Sequence, residues 1–303
     1  MNKEIVGYIA SCFPNGELRE KRVKTHNQQL DFWAEKTDIK MYVVAIQYEP
    51  HEYRKDLVDQ GRVEYLIQDR PTLLPEARKI CLDHFYASTW RWCMLMDNDA
   101  ALYHSPTHNS GADFVLEMSQ QIGLYDRIGM IYPHNPMVAG FRGAWEEKPD
   151  LFQNCHVFDK GFAAKGTLVF LRNFPQFGQT PIHKDPNINW MEDVAFAFDV
   201  LAAGHPVVKS WNMVLKELVP AGPLSFYGDI SEHSKHMRKA NEALITKYGH
   251  LGLKFRNETS HSLDTKMMVA KCWPPDIDRR IIIPKPGKAY VEPSSLVAED
   301  LFG

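Results

Sequence analysis

Two short acidic stretches carry the chemistry this sequence can offer. Met94-Leu95-Met96-Asp97-Asn98-Asp99 ends an apolar run on two aspartates separated by one residue. Alternate residues of an extended chain share a face, so Asp97 and Asp99 project together where a strand ends. Hard carboxylate oxygens of this kind suit Mg2+ or Mn2+, either of which can bridge a diphosphate. An ordinary polar turn or a helix cap would show the same residues. The second stretch, Trp190-Met191-Glu192-Asp193, leads into Val194, Phe196, Phe198 and Leu201 and stops at Gly204. Its two acids sit in the first turn of an amphipathic helix, where the helix dipole favours negative charge. Capping alone would explain them. Together with the earlier aspartates they make Asp193, with Glu192 beside it, a candidate general base. Arg78, in Leu74-Pro75-Glu76-Ala77-Arg78, lies on the helix that runs into the aspartate strand and can pair with donor phosphates or with the base.

These residues need elements to hold them. Glu4–Cys12 reads as a buried strand ended by Pro14-Asn15-Gly16, and Leu18–Lys36 as an amphipathic helix through Leu30, Phe32 and Trp33. Strands follow at Met41–Ile46, Val63–Ile67 and Trp92–Met96, with a helix over Leu74–Tyr86 whose Pro75 suits a first turn. Alternating strands and helices predict a mainly parallel sheet with right-handed crossovers. In such sheets ligands bind beyond the carboxyl ends of strands. Farther on, strands are expected at Gly129–Tyr132, Thr167–Leu171 and from Val207, with helices over Met191–Ala203 and Ser231–Tyr248. The segment from Pro274 is dense in proline and basic residues and reads as a surface wrap.

Composition narrows the class. The chain has 303 residues, 44% hydrophobic and 24% charged, which is ordinary globular usage. A net charge of −3 makes no general case for a nucleic-acid partner. Local basic faces at Arg19–Lys24, Lys235–Lys239 and Arg279–Lys288 leave one open. Five cysteines without a C-x-x-C pair argue against a disulfide framework and a cysteine zinc site, and suit a reducing cytoplasm. Neither a signal peptide nor an apolar run of the roughly 18 residues needed to span a membrane is present, so no membrane partner is expected.

The succession of an "ARKICLDHF" helix, an "MLMDNDAAL" strand and an "MEDVAFAFDVLAAGHPV" helix resembles the GT-A nucleotide-diphospho-sugar transferases, particularly their family 2-like group. There an "AR-N-x-G" helix precedes an aspartate-rich strand end and an "E-D" helix follows. Lys79 and Ile80 depart from that pattern, which touches the nucleotide contact of Arg78. The run from Ser231 through Asn241 to Lys247-Tyr248-Gly249 is similar to the "S … N … K-W-G" tail of such enzymes. The resemblance implies an α/β, Rossmann-like GT-A domain over residues 1–215. Residues 216–303 would form a helical and irregular extension that completes the active site and can contact the acceptor. Position by position, it implies Asp99 as principal metal ligand and Asp97 facing the donor ribose or the metal. Asp193 would be the base, and a downstream histidine, His233 before His236, would complete the shell of a Mn2+ or Mg2+ ion. Ser11 and Phe13 stand where such enzymes hold the base of the donor, here expected to be UDP-linked.

This length, the lack of membrane elements and the polar tail are similar to bacteriophage transferases that decorate hydroxymethylated pyrimidines. That implies 5-hydroxymethylcytosine in DNA as acceptor, in the cytoplasm of a host if phage-encoded. The base would have to be flipped out of a duplex, with Lys160, Lys165, Arg172 and Lys184 available for phosphates. A bacterial surface glycan is the other acceptor. A sugar-phosphate nucleotidyltransferase would need a Gly-rich loop after the first strand, whereas Ala10–Gly16 has one glycine. A non-catalytic sugar- or DNA-binding module would need neither acid pair.

Overall fold

The computed structural model describes residues 5–13, 17–70, 72, 74–98, 100–103, 129–134, 168–172, 185–217, 230–257 and 262–276. Its nucleus is four parallel strands, β1 (Ile5–Cys12), β2 (Lys40–Ile46), β3 (Val63–Gln68) and β4 (Trp92–Asp97), in the order β3-β2-β1-β4. β1, β2 and β4 read as unbroken apolar runs because both of their faces are covered, and their residues from Ile5 to Ser11, Met41 to Ile46 and Trp92 to Met96 are buried. Helices α1 (Glu17–Lys36), α2 (Lys55–Asp59) and α3 (Leu74–Tyr86) make the crossovers.

Side-chain alternation shows which helix covers which face. Tyr8 stacks on Tyr42 and meets His84 and Phe85 of α3. Met96, opposite Ile9 on the other face, receives the Gln29 amide of α1. The chain therefore leaves β1 toward β2 on one side and returns to its other side at β4. The crevice above β1 and β4 is the point where strand order reverses, the usual ligand position in an open α/β sheet.

The far half of the sheet is mixed. β5 (Ala100–Tyr103), β6 (Met130–His134), β7 (Leu168–Arg172) and β8 (Val207–Glu217) extend it as β4-β7-β6-β8-β5. β7 runs antiparallel to β4 and to β6, β6 pairs β8 in parallel, and β5 is antiparallel to β8. Helix α4 (Glu192–Ala202) is apolar nearly all round and is correspondingly buried. Helix α5 (Ile230–Tyr248) docks on it: the Tyr248 hydroxyl donates to the Ala195 carbonyl at 2.9 Å, and Lys247 pairs with Asp199 at 2.9 Å. A short hairpin, β9 (Lys254–Phe255) with β10 (Leu263–Asp264), and α6 (Lys266–Cys272) follow. Sequence periodicity misses α2, β5, the hairpin and α6, all too short to show a period. Among the described residues no helix is long and apolar enough to cross a membrane, and the described cysteines Cys81, Cys93 and Cys272 are free.

Gly204 ends α4 as its position suggests. Its φ is +83°, its N–H donates to the Leu201 carbonyl at 2.9 Å, and the His205 N–H reaches back to Val200 at 3.2 Å. This paired closure needs a left-handed residue after the cap. Gly204→Ala is expected to lower stability by about 1 kcal/mol, read from urea unfolding; an unchanged midpoint would mean the helix end tolerates a Cβ.

Candidate active site

Strand β4 delivers its last residues to two different faces. By alternation Asp97 turns toward α3 and Asn98 toward α1. Helix α3 begins level with the carboxyl ends of the strands, and its buried stripe is Ala77, Arg78, Cys81, Leu82 and Phe85. Arg78 thus sits in the first turns of α3 with 5% of its surface exposed. A cation so enclosed must be paired. Its Nη2 donates to Asp97 Oδ1 at 2.9 Å, and its Nη1 donates to Glu192 Oε1. The guanidinium is held firmly in its charged form by Glu192 and then Asp97, against the opposing effect of its burial.

Glu192 reaches Arg78 because α4 starts there. The turn Asp185–Asn187, closed by the Asn187 N–H on Asp185 Oδ1 at 2.9 Å, leads into a 3-10 turn over Ile188–Met191. Met191 offers no side-chain cap to α4. Glu192 points inward and is buried, while Asp193 is half-buried and accepts the Val194 N–H at 2.8 Å. Burial raises the Glu192 carboxyl. Asp193 is pushed up to about 7, by burial first and the neighbouring Glu192 charge second, with Arg78 opposing both. An acid with that proton affinity can give up and take back a proton near neutral pH.

Beneath the Asp97-Asn98 turn lies a second set of contacts that the sequence reading passed over. Gln29 of α1 donates to the Asp97 carbonyl at 3.0 Å. Asn98 donates to Ser11 Oγ at 3.1 Å, and Tyr48 donates to the same oxygen at 2.6 Å. The Tyr48 hydroxyl also lies 3.1 Å from His26 Nε2. His26 is fully buried and pushed down to about 3, by burial first and the Arg54 charge second, so it stays neutral. Phe13 stacks on Tyr48 at 4.6 Å, and the Arg19 guanidinium lies 5.9 Å from its ring. Arg19 itself is locked to Glu52 at 2.6 Å. One signal in the sequence marks this network: His26 and Gln29 are polar residues at helical spacing with Leu30 and Trp33 on the buried stripe of α1.

Of the expected site residues, Asp97, Arg78 and Glu192 are brought together, with Asp193 next to them. Ser11 and Phe13 lie at the end of β1, on the α1 side of the same crevice. Asp99 lies outside the described residues, as do Lys160, Lys165, Lys184 and Arg279–Lys288. His233 is on α5, with its side chain outside the description, as is that of Arg172 on β7. The ring of His236 lies flat on Trp190, centroids 4.1 Å apart and planes within 4°. Among the described residues no three His, Cys, Asp or Glu side chains form a metal-holding group. Asp97 contributes a partly exposed hard carboxylate, with one oxygen on Arg78.

No protein-family model matches the sequence, and no curated protein matches it. Solved structures do. The chain is similar to a mannosyltransferase from Pyrobaculum calidifontis in complex with GDP-Man and Mn2+, at 12% identity and a TM-score of 0.52, covering 82% of this chain and 63% of that one. S. aureus TarS in complex with UDP-GlcNAc matches at 10% identity and 0.48, over 80% of this chain and 66% of that one. Glucosyl-3-phosphoglycerate synthase from Mycobacterium tuberculosis, in complex with Mn2+, UDP-glucose and phosphoglyceric acid, matches at 11% and 0.47, over 82% and 80%. The chain thus has the GT-A, Rossmann-like α/β fold, and spans 63% of the length of the mannosyltransferase.

The Asp193 environment has a consequence for stability. Its folded-state value of about 7 lies above the roughly 3.9 of an unfolded aspartate. The folded chain therefore binds that proton more tightly, and this group's contribution to stability falls as pH climbs from about 4 through about 7. Asp193→Asn keeps an oxygen for the Val194 N–H and removes the titration. It is expected to be more stable than the wild type at pH 8, with the gap closing toward pH 4, in thermal melts across that range. Parallel curves would show that Asp193 titrates as a solvated acid.

Proposed function

We propose that the chain is a metal-dependent glycosyltransferase that moves a sugar from a nucleotide-diphosphate donor to an acceptor hydroxyl. One observation carries this reading: Asp97, at a β4 end, and the Glu192–Asp193 pair, at the start of α4, meet through Arg78 at the switch point of a GT-A sheet. In this reading residues 1–215 are the transferase domain and 216–303 complete the site. The donor lies over the ends of β1 and β4, with Ser11, Phe13 and Arg78 assigned to the donor side. Donors of the neighbours, GDP-Man and UDP-GlcNAc among them, support a nucleoside-diphosphate sugar; UDP is the nucleotide we assign.

Asp99 and Asp97, with His233, supply the hard oxygen and imidazole ligands that fit Mn2+ or Mg2+. A cation held by them would neutralise charge on the departing diphosphate. Asp193 accepts the proton of the acceptor hydroxyl as that oxygen bonds to the anomeric carbon. The bond from that carbon to the diphosphate oxygen breaks, the diphosphate leaves with the electron pair, and the configuration inverts. A base that titrates near neutral pH suits this step.

For the acceptor we propose 5-hydroxymethylcytosine in DNA, in the host cytoplasm if the chain is phage-encoded. The exposed Lys235, Arg238 and Lys239 of α5, the helix that carries His236 against Trp190, support a phosphate-contacting wall beside the acids. The net charge of −3 speaks against long-range attraction. A surface glycan is the alternative acceptor.

Asp193→Asn is expected to bind a nucleotide sugar as the wild type does, by calorimetry, while turnover falls on the order of 100-fold or more. Asp99→Ala, or chelator on the wild type, should abolish transfer, with Mn2+ restoring the latter. Full turnover in chelator would remove the metal from the reaction, and normal turnover of Asp193→Asn would remove the base.

The acceptor is read by incubating hydroxymethylated and unmodified duplexes with a panel of nucleotide sugars and weighing the digested nucleosides. A sugar mass on hydroxymethylcytosine is expected. DNA binding should weaken steeply with salt, and Lys235→Glu with Lys239→Glu should weaken it without changing donor affinity. Extension of a glycan with no mass on DNA would hand the acceptor to the surface-glycan reading, and release of pyrophosphate from a nucleoside triphosphate and a sugar phosphate would point to nucleotidyl transfer.

A further inference from the structure

Arg78 lies on a helix stripe that is otherwise Ala77, Cys81, Leu82 and Phe85. The stripe itself is apolar, and the cation on it is received by two carboxylates. They come from opposite halves of the sheet: Asp97 is 19 residues away in sequence and Glu192 is 114. A guanidinium is a rigid planar fork, so carboxylates bound to its two amino groups are fixed in orientation as well as in distance. A lysine ammonium cannot impose that geometry.

The acceptor-side helix needs such a hold. Its N-cap residue, Met191, makes no side-chain hydrogen bond. The first turn of α4 is instead tied inward by Glu192 on Arg78, while Trp190, just before it, is packed against His236 of α5. Asp193 is adjacent to Glu192, so the direction of its carboxylate follows from how that first turn is seated.

We infer that Arg78 is a positioning residue: its fork on Asp97 and Glu192 sets where Asp193 stands relative to the donor-side strand end, and it acts on catalysis through Glu192 rather than by holding the donor. This rests on the transferase reading above and goes beyond it by moving Arg78 from the donor side to the joint between the two acid groups.

The test separates binding from turnover. Arg78→Lys keeps the charge and loses the fork. It is expected to lower kcat on the order of 100-fold, as a misplacement of about 1 Å does, while Kd for UDP or GDP with Mn2+, from calorimetry, changes less than about twofold. Glu192→Gln should show the same split, and Arg78→Lys with Glu192→Gln should be no slower than the slower single variant, because both break one contact. Two results overturn the inference: effects on kcat that multiply in the double variant, or nucleotide affinity lost about tenfold in Arg78→Lys with kcat retained. If Arg78→Lys does not fold, Glu192→Gln alone carries the split and is judged by the same criterion. A wild-type chain that transfers no sugar refutes the transferase reading. The positioning role, which rests on that reading, falls with it, whereas a wild type that transfers sugar while Arg78→Lys and Glu192→Gln keep its kcat refutes the positioning role alone.

Discussion

Arg78 can lie where it does only because Asp97 and Glu192 are there to receive it. Sealing a guanidinium beneath a sheet edge costs several kcal/mol unless charge and geometry are both answered. One partner comes from the end of a central strand and the other from the start of a helix across the sheet, so the pairing also fixes how the two halves of the chain meet. Every other feature of the crevice is arranged round that joint. Gln29 of α1 holds Asp97 by its carbonyl and Ser11 of β1 accepts the Asn98 amide, leaving the Asp97 carboxylate to face α3. The packing of α5 on α4 seats the helix whose first residue completes the pair.

Three carboxylates, Asp97, Glu192 and Asp193, share one buried arginine. Glu192 and Asp193 are enclosed beyond what attraction to that single cation offsets, and the surplus is expressed in the raised proton affinity of the pair. The opposite balance holds on the α1 side, where His26, Tyr48, Ser11 and Asn98 are neutral and joined by hydrogen bonds. One strand end thus separates the Arg78 ion-pair cluster from a hydrogen-bonded network of neutral side chains, and the alternation of a β-strand is enough to do it.

Much of this was legible before any coordinates. The strands from Ile5, Lys40 and Trp92 are apolar runs between turn signals, the one from Val63 is shorter and mixed, and the sequence marks helices over Leu74–Tyr86 and Met191–Ala203, so element type and order follow from pattern. Gly204 announces the end of α4. The acids were visible as pairs at element ends, and Arg78 as an arginine on the helix that runs into the aspartate strand, able to pair with phosphates or with the base. Which of them would touch was not visible, because Asp97 and Glu192 belong to elements whose separation is set by sheet topology, and the antiparallel insertion of β7 has no signature of its own. The polar network under Asn98 was legible only in part: Ser11 lies in a strand read as buried and His26 on the apolar stripe of α1, but their joining with Tyr48 follows only when three strands and a helix converge.

The sequence spacing of the joint also orders its assembly. Arg78 and Asp97 lie within a local β3-α3-β4 stretch, and a chain closes short loops at less entropic cost than long ones. Contacts between distant residues dominate slow folding. The Asp97 partner is therefore expected to be in place before Glu192, which joins when the more remote half of the sheet docks. On that order a partly folded chain would own its four parallel strands with Arg78 already on Asp97, and the crevice would become a single electrostatic unit when Glu192 docks.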